Sequence, residues 1–541
     1  MQSAPTLVLL KKDMPFLRGI IFLAALACIN LHAGSVFVLA NKNSEKSKKL
    51  AEDYCELRSI PKENIVILDV KDSANISRED YDKKIAEKLF KVLKERGAVK
   101  DILNSENPKH ALVVKSDVDY VVIAKGVPYR ISEEKISPDA KISATANNSA
   151  CVDSELAMLL KGKYELRGMQ KNPLFGLNRQ RGDYKKENFL AVSRLDGLNF
   201  SDALNLVNSA LSAEEKGLRG RAYIDMSKKY PAGDKWLLSA KKTIEELGFD
   251  VSSDEKPQLF NYFDRFDAPA FYFGWYTDMP RYYPQSKDVK YSSGASALHI
   301  YSYSAQNLSN PRDWTPSFAA RNAAVAFGYI NEPFLTFTHR SDIYMHYISR
   351  GFEAGEAAFY SMGAFSWKGI MLADPLYSPL KKTLQSQLED IENSKIDGLS
   401  QYVAIRKMNL SLLENGDARK AIEIAESFIP KLNEKFALNW KLALLYGNFD
   451  EEKSIALARE AAKEAKENFQ NFGLAFEISD FLKSKNLKEE SAKLCLEILN
   501  STKDADFLQK AIPVLLKKES FSANEREFLE EKLSNLNKKQ N

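Results

Sequence analysis

Charged and hydroxyl groups recur at one kind of position in this chain of 541 residues: just past the apolar runs between residues 120 and 375. Tyr120-Val-Val-Ile-Ala124 is followed by Lys125-Gly-Val-Pro-Tyr-Arg130, and Phe189-Leu-Ala-Val192 by Ser193-Arg-Leu-Asp-Gly197. Ala222-Tyr-Ile224 leads to Asp225, and Ala268-Pro-Ala-Phe-Tyr-Phe-Gly-Trp275 leads to Asp278. Ala297-Leu-His-Ile-Tyr-Ser-Tyr-Ser304 ends in two serines, Ala323-Ala-Val-Ala-Phe-Gly328 leads to Asn331-Glu332, and Leu372-Ala-Asp-Pro375 carries Asp374. Ligands of open parallel sheets bind outside the carboxyl ends of the strands. The pattern therefore predicts a polar crevice of mixed charge along one rim.

Several chemistries are open to these groups. Ser302 or Ser304 is a nucleophile only with a base beside it. His299 lies three residues before Ser302, and strand alternation points the two side chains to opposite faces, which reads as a core histidine. His339 reaches Ser304 only if residues 333–341 fold back over the rim. Asp153, Glu155, Asp196, Asp225 and Glu332 supply oxygens for an acid/base pair or a divalent cation, but their spacing assigns no metal and no cofactor. The catalytic candidates are Ser304, Ser302, Asp196 and Glu332. The ligand-binding candidates are Lys125, Asp153, Glu155, Arg194, Asp196, Trp275 and Glu332. Trp275, Tyr276, Tyr282 and Tyr283 are the aromatics placed to stack on a sugar or clamp a peptide. Any one of these residues alone reads as a helix cap or a structural ion pair; their shared rim favours a site.

Short apolar runs alternate with amphipathic stretches from Ser35 to about Leu380, the signature of a three-layer α/β domain with a parallel sheet. Val36-Phe-Val-Leu-Ala40 and Ile65-Val-Ile-Leu-Asp-Val70 open the series. Residues 132–187, rich in Ser, Asn, Lys and Gly with a helical piece at 153–160, read as an excursion over the mouth of the sheet. After residue 398 strand-like runs vanish. Helical pairs then recur every 32 to 38 residues or so, near the period of about 34 in tetratricopeptide arrays. The division is 1–33, 34–397 and 398–541, with an irregular helical bundle as the alternative for the last part.

Lys11, Lys12 and Arg18 precede the apolar run Gly19–Cys28, with small residues at Ala25, Ala27, Ala33 and Gly34. The run is shorter than the roughly 20 residues a bilayer demands, so it reads as a secretory signal. Export to the periplasm or beyond the cell is expected, with lipidation at Cys28 as the alternative. Lys plus Arg total 77 against 73 Asp plus Glu. That balance leaves no electrostatic footprint for nucleic acid. Cys55, Cys151 and Cys495 have neither metal-like spacing nor a disulfide pattern.

The order of these blocks resembles the caspase-like cysteine proteases of the gingipain type. In that family one strand delivers a His-Gly, the next a Cys, and a Gly-Asp-Pro closes the sheet. Here Gly274-Trp275 stands at the His-Gly, Ser302 or Ser304 at the Cys, and Ala373-Asp-Pro375 at the Gly-Asp-Pro. The blocks at Lys125, Val152, Arg194 and Glu332 are also similar to a family of bacterial exported proteins without an assigned reaction. The resemblance implies a caspase-like fold that lacks the orthodox thiol–imidazole chemistry. The function expected of such an exported, catalytically altered homologue is to bind a ligand or protein at the crevice, with the helical tail and crevice meeting a protein or peptide partner. A hydrolase using a serine or a carboxylate pair, and a helical-repeat adaptor, are the alternatives.

Overall fold

The computed structural model describes residues 35–132, 149–162, 168–277, 288–518 and 520–538. Ten strands form one sheet: β1 (Val36–Asn41), β2 (Ile65–Leu68), β3 (Tyr120–Ala124), β4 (Ala191–Leu195), β5 (Arg221–Asp225), β6 (Asp250–Asp254), β7 (Pro269–Gly274), β8 (Ser296–His299), β9 (Val325–Tyr329) and β10 (Gly369–Ala373). Their order is β6-β5-β7-β8-β9-β10-β4-β3-β1-β2. Helices α1 (Glu45–Arg58), α2 (Val152–Leu156), α3 (Phe200–Lys216), α4 (Pro231–Glu246), α5 (Trp314–Ala320), α6 (Ser341–Ser349) and α7 (Ala354–Ser361) surround it.

The apolar runs became strands because both faces are covered. Val36, Val38 and Ala40 join one hydrophobic cluster, while Phe37 and Leu39 join another on the opposite face. That is the period-two alternation of a strand buried on both sides. Helix α1 starts where the Ser44 side chain accepts the Ser47 N–H, and stops at Ser59 in the left-handed region, just ahead of Ile60-Pro61.

The sheet is mixed, and β10 is the exception. It pairs antiparallel with β9, Tyr329 opposite Gly369 and Val325 opposite Ala373. It meets β4 through one parallel-type bridge, Arg194 with Leu372. A single bridge does not set a strand's direction; contacts at the two rims do. Before β10, Trp367 donates its indole N–H to the Pro333 carbonyl at 2.8 Å, and the Lys368 carbonyl accepts the Ile330 N–H, both partners lying past β9. At the same rim Tyr129 and Arg130, past β3, donate to the Gln306 carbonyl, past β8. At the opposite rim Asp374, past β10, accepts from Tyr54 and Arg58 at the end of α1. There too Tyr377 donates to the carbonyl of Gly294, ahead of β8. Nine strands therefore end at one rim, and β10 begins there.

Two features differ from the sequence expectation. Edge strand β6, Asp-Val-Ser-Ser-Asp, carries no apolar run because it is covered on one side only. Residues 132–187 are not confined to the mouth of the sheet. Ala150–Cys151 pairs with Arg130–Ile131 at the carboxyl rim, but Tyr184 donates to the Asp119 carbonyl at the amino rim.

Among the described residues, eight helices follow residue 398, from Ser400–Asn415 to Ala523–Lys538. Their apolar cluster begins at Leu388, so the helix Leu384–Glu392 packs with them rather than with the sheet. Tyr402 donates to Asp267 at 2.5 Å and Lys441 pairs with Asp250 at 2.7 Å, joining this part to the sheet. Among the described residues no helix is long and apolar enough to cross a membrane. The expected signal lies outside them.

Arg58 ties α1, α3 and the chain past β10 together. Its Nη atoms lie 2.9 and 3.0 Å from Glu214, and its Nε donates to Asp374. Arg58→Met leaves two buried carboxylates short of a cation, and breaking a buried pair in this way costs about 3–5 kcal/mol. A urea titration of the variant should show a loss of that order.

Candidate functional site

The strand-end charges are built around Arg194, near the end of β4 and fully buried. Its Nε lies 3.1 Å from Asp153 Oδ1 and its Nη2 2.8 Å from Oδ2. Nη1 donates to the Val127 carbonyl at 2.7 Å, Nη2 to that of Pro128 at 3.0 Å, and Asp196 lies 3.7 Å from Nη1. Asp196 in turn accepts from Lys125 Nζ and from the Gly197 N–H, each at 2.8 Å. Lys125, Asp153, Arg194 and Asp196 therefore converge, as the strand-end positions predicted. What they form is a closed network in which each charge is met from within.

Glu155 shares α2 with Asp153 but belongs to another pair. Its carboxylate lies 2.8 Å from Arg78 and accepts from Ser366 Oγ at 2.6 Å. Trp275 is buried, its indole N–H donating to Asp234 at 2.6 Å. Its ring lies over Gly233 on α4, where an added Cβ would come within 2.5 Å of the indole. Asp278, Tyr282 and Tyr283 fall outside the described residues.

The two serines separate. Ser302 Oγ donates to Glu332 at 2.5 Å, and the other oxygen of Glu332 accepts the Phe334 N–H at 3.0 Å. Ser304 is buried and its Oγ accepts the Tyr329 N–H at 3.1 Å. The structure thus pairs Ser302, not Ser304, with a carboxylate.

Neither candidate histidine serves these serines. His299 Nε2 accepts the Thr277 N–H at 3.3 Å, so its proton sits on Nδ1, 3.1 Å from the Tyr272 hydroxyl. The ring stacks on Trp314 at 3.7 Å. Burial lowers His299 to about 3 from the ordinary 6.5, and burial does the same to His339, which packs on Phe327 and Tyr329. Tyr272 also lies 3.5 Å from Asp225, whose Oδ1 has no partner among the described residues. Burial holds that carboxyl well above the usual range.

Cys151 does not act as a thiolate. Burial and the Asp153 carboxylate push its thiol well up. Among the described residues no group of three or more His, Cys, Asp or Glu side chains is placed to hold a metal ion. Sequence reasoning found the rim but not its partners: Arg78, Asp234 and Ser366 come from elements whose packing no local pattern announces.

No family model, curated protein or solved structure matches this chain.

The buried imidazoles make stability acid-sensitive. In the unfolded chain His299 protonates as pH falls through 6.5, whereas in the folded chain it resists to about 3. Its contribution is complete above pH 6.5 and is lost progressively below it. His299→Gln should flatten the fall in urea midpoint between pH 6.5 and pH 4; an unchanged slope contradicts this assignment.

Proposed function

We propose that this chain is an exported, catalytically altered homologue of the caspase-like proteases that binds a protein or peptide without cleaving it. The observation that carries this reading is the pair at the positions where those proteases hold imidazole and thiol. Trp275 replaces the imidazole, is buried and is bonded to Asp234. An indole N–H donates and cannot take a proton. Ser302 replaces the thiol and is bonded to Glu332. Without an imidazole beside it a serine hydroxyl is a poor nucleophile near neutral pH.

The helical part supports the binding half of the reading. First helices of successive pairs begin at Ser400, Phe436, Phe472 and Ala505. The steps of about 33 to 36 residues suit a tetratricopeptide-like array, whose stacked pairs offer an extended surface to a partner. The second reading, a hydrolase built on Ser302 and Glu332, is favoured only by their 2.5 Å hydrogen bond.

The two readings separate on reactivity. A fluorophosphonate probe should leave the protein unlabelled, and peptides enriched from a random display library should be recovered intact after prolonged incubation. Labelling that disappears in Ser302→Ala, or peptide cleavage, would establish the hydrolase.

A further inference from the structure

At the amino rim, remote from the strand-end network, a cavity of about 490 Å³ opens between the start of β3, residues 181–188 and the start of α7. Its lining includes the exposed Lys115–Asp117 pair. Glu356 is 5% exposed and Asp119 7%, whereas Arg181 and Lys186 at the mouth are exposed. Asp119 is matched by Lys185, and Lys186 is held by Asp183 at 2.9 Å. The two glutamates are not matched in this way.

Glu353 Oε2 accepts from the Tyr120 hydroxyl at 2.6 Å. Glu356 Oε1 accepts the Gly182 N–H at 2.6 Å and the Tyr360 hydroxyl at 2.9 Å. Neither carboxylate forms a contact ion pair among the described residues, and Arg181 and Lys185 act on Glu356 only through space. Arg181 gives one N–H to the Gly351 carbonyl, and its other donors are open to a ligand. Glu353 is half-buried beside the buried Glu356, and an ammonium group with three donors would give both carboxylates a direct cationic partner. The cavity's size is that of a small-molecule site.

We propose that this cavity binds a small zwitterion of the amino-acid class. Its ammonium group sits between Glu353 and Glu356, and its carboxylate faces Arg181 and Lys186. The inference is independent of what the strand-end rim does.

The site also responds to pH. Glu353 faces Asp119 and Tyr120 at β3, Arg181, Tyr184 and Lys185 on the crossing segment, Glu356 and Tyr360 on α7, and Asp374 past β10. Burial, with repulsion from Glu356, Asp119 and Asp374, raises it to about 7 from 4.5. Below that pH the carboxyl is neutral and no longer attracts an ammonium as an anion, so affinity rises from pH 6 to pH 8.

Calorimetry on the intact chain at pH 8, with the twenty protein amino acids tested singly, decides the matter. At least one should bind. Its decarboxylated amine should bind at least fivefold more weakly, its N-acetyl derivative should not bind, and affinity should fall severalfold at pH 6. Glu356→Gln should abolish binding; Arg181→Ala, on an exposed side chain that cannot compromise the core, should weaken it at least fivefold. Failure of all twenty, equal binding of the N-acetyl derivative, or full affinity in Arg181→Ala would overturn the proposal.

Discussion

A guanidinium buried without water must find all its partners inside the protein, and Arg194 is the group on which the carboxyl rim is organised. Desolvating a charge costs more than any single hydrogen bond returns, so the arrangement stands only when it is complete. Asp153 meets the guanidinium on one edge, and the Val127 and Pro128 carbonyls meet its other donors. This fixes the turn after β3 and the position of α2 against the end of β4. Lys125 and Asp196 complete the set. A rim locked in this way is a rigid platform with little free charge for chemistry.

The opposite rim carries a second lock. Arg58 joins α1 to Glu214 on α3 and to Asp374 past β10, where Tyr54 also donates. Because β10 runs against its neighbours, its trailing carboxylate falls among the amino ends of the other strands. At the carboxyl ends of β5, β7 and β8, the buried run Asp225–Tyr272–His299 links three neighbouring strands. Burial raises the Asp225 carboxyl and lowers the His299 imidazole, both shifts favouring the uncharged forms in apolar surroundings.

Much of the sheet was legible because strands buried on both faces must be continuously apolar. Val36–Ala40, Tyr120–Ala124 and the runs at 268, 297 and 324 all became strands for that reason. β6 was not legible, since an edge strand of Asp and Ser has no such obligation. The direction of β10 was also hidden, because an apolar pentapeptide reads the same whichever way it runs. At the rim, strand ends located Arg194 and Asp196, but β8 stops at His299, so the expected alternation does not reach Ser302. The partner of Trp275 could not be read, because Asp234 arrives on a helix positioned by packing rather than by local sequence. Nor could the acid pair Glu353 and Glu356, which lies at the rim where ligands of such sheets are not expected.

The strand-end network holds the fold together rather than serving a ligand. A double-mutant cycle in urea on Arg194→Met and Asp153→Asn tests that directly. The account predicts a loss of about 3–5 kcal/mol for Arg194→Met. It also predicts that the two changes are strongly non-additive, with a coupling of about 1–3 kcal/mol. Small, additive losses would contradict it and would mean that these charges are held for a ligand rather than for the fold.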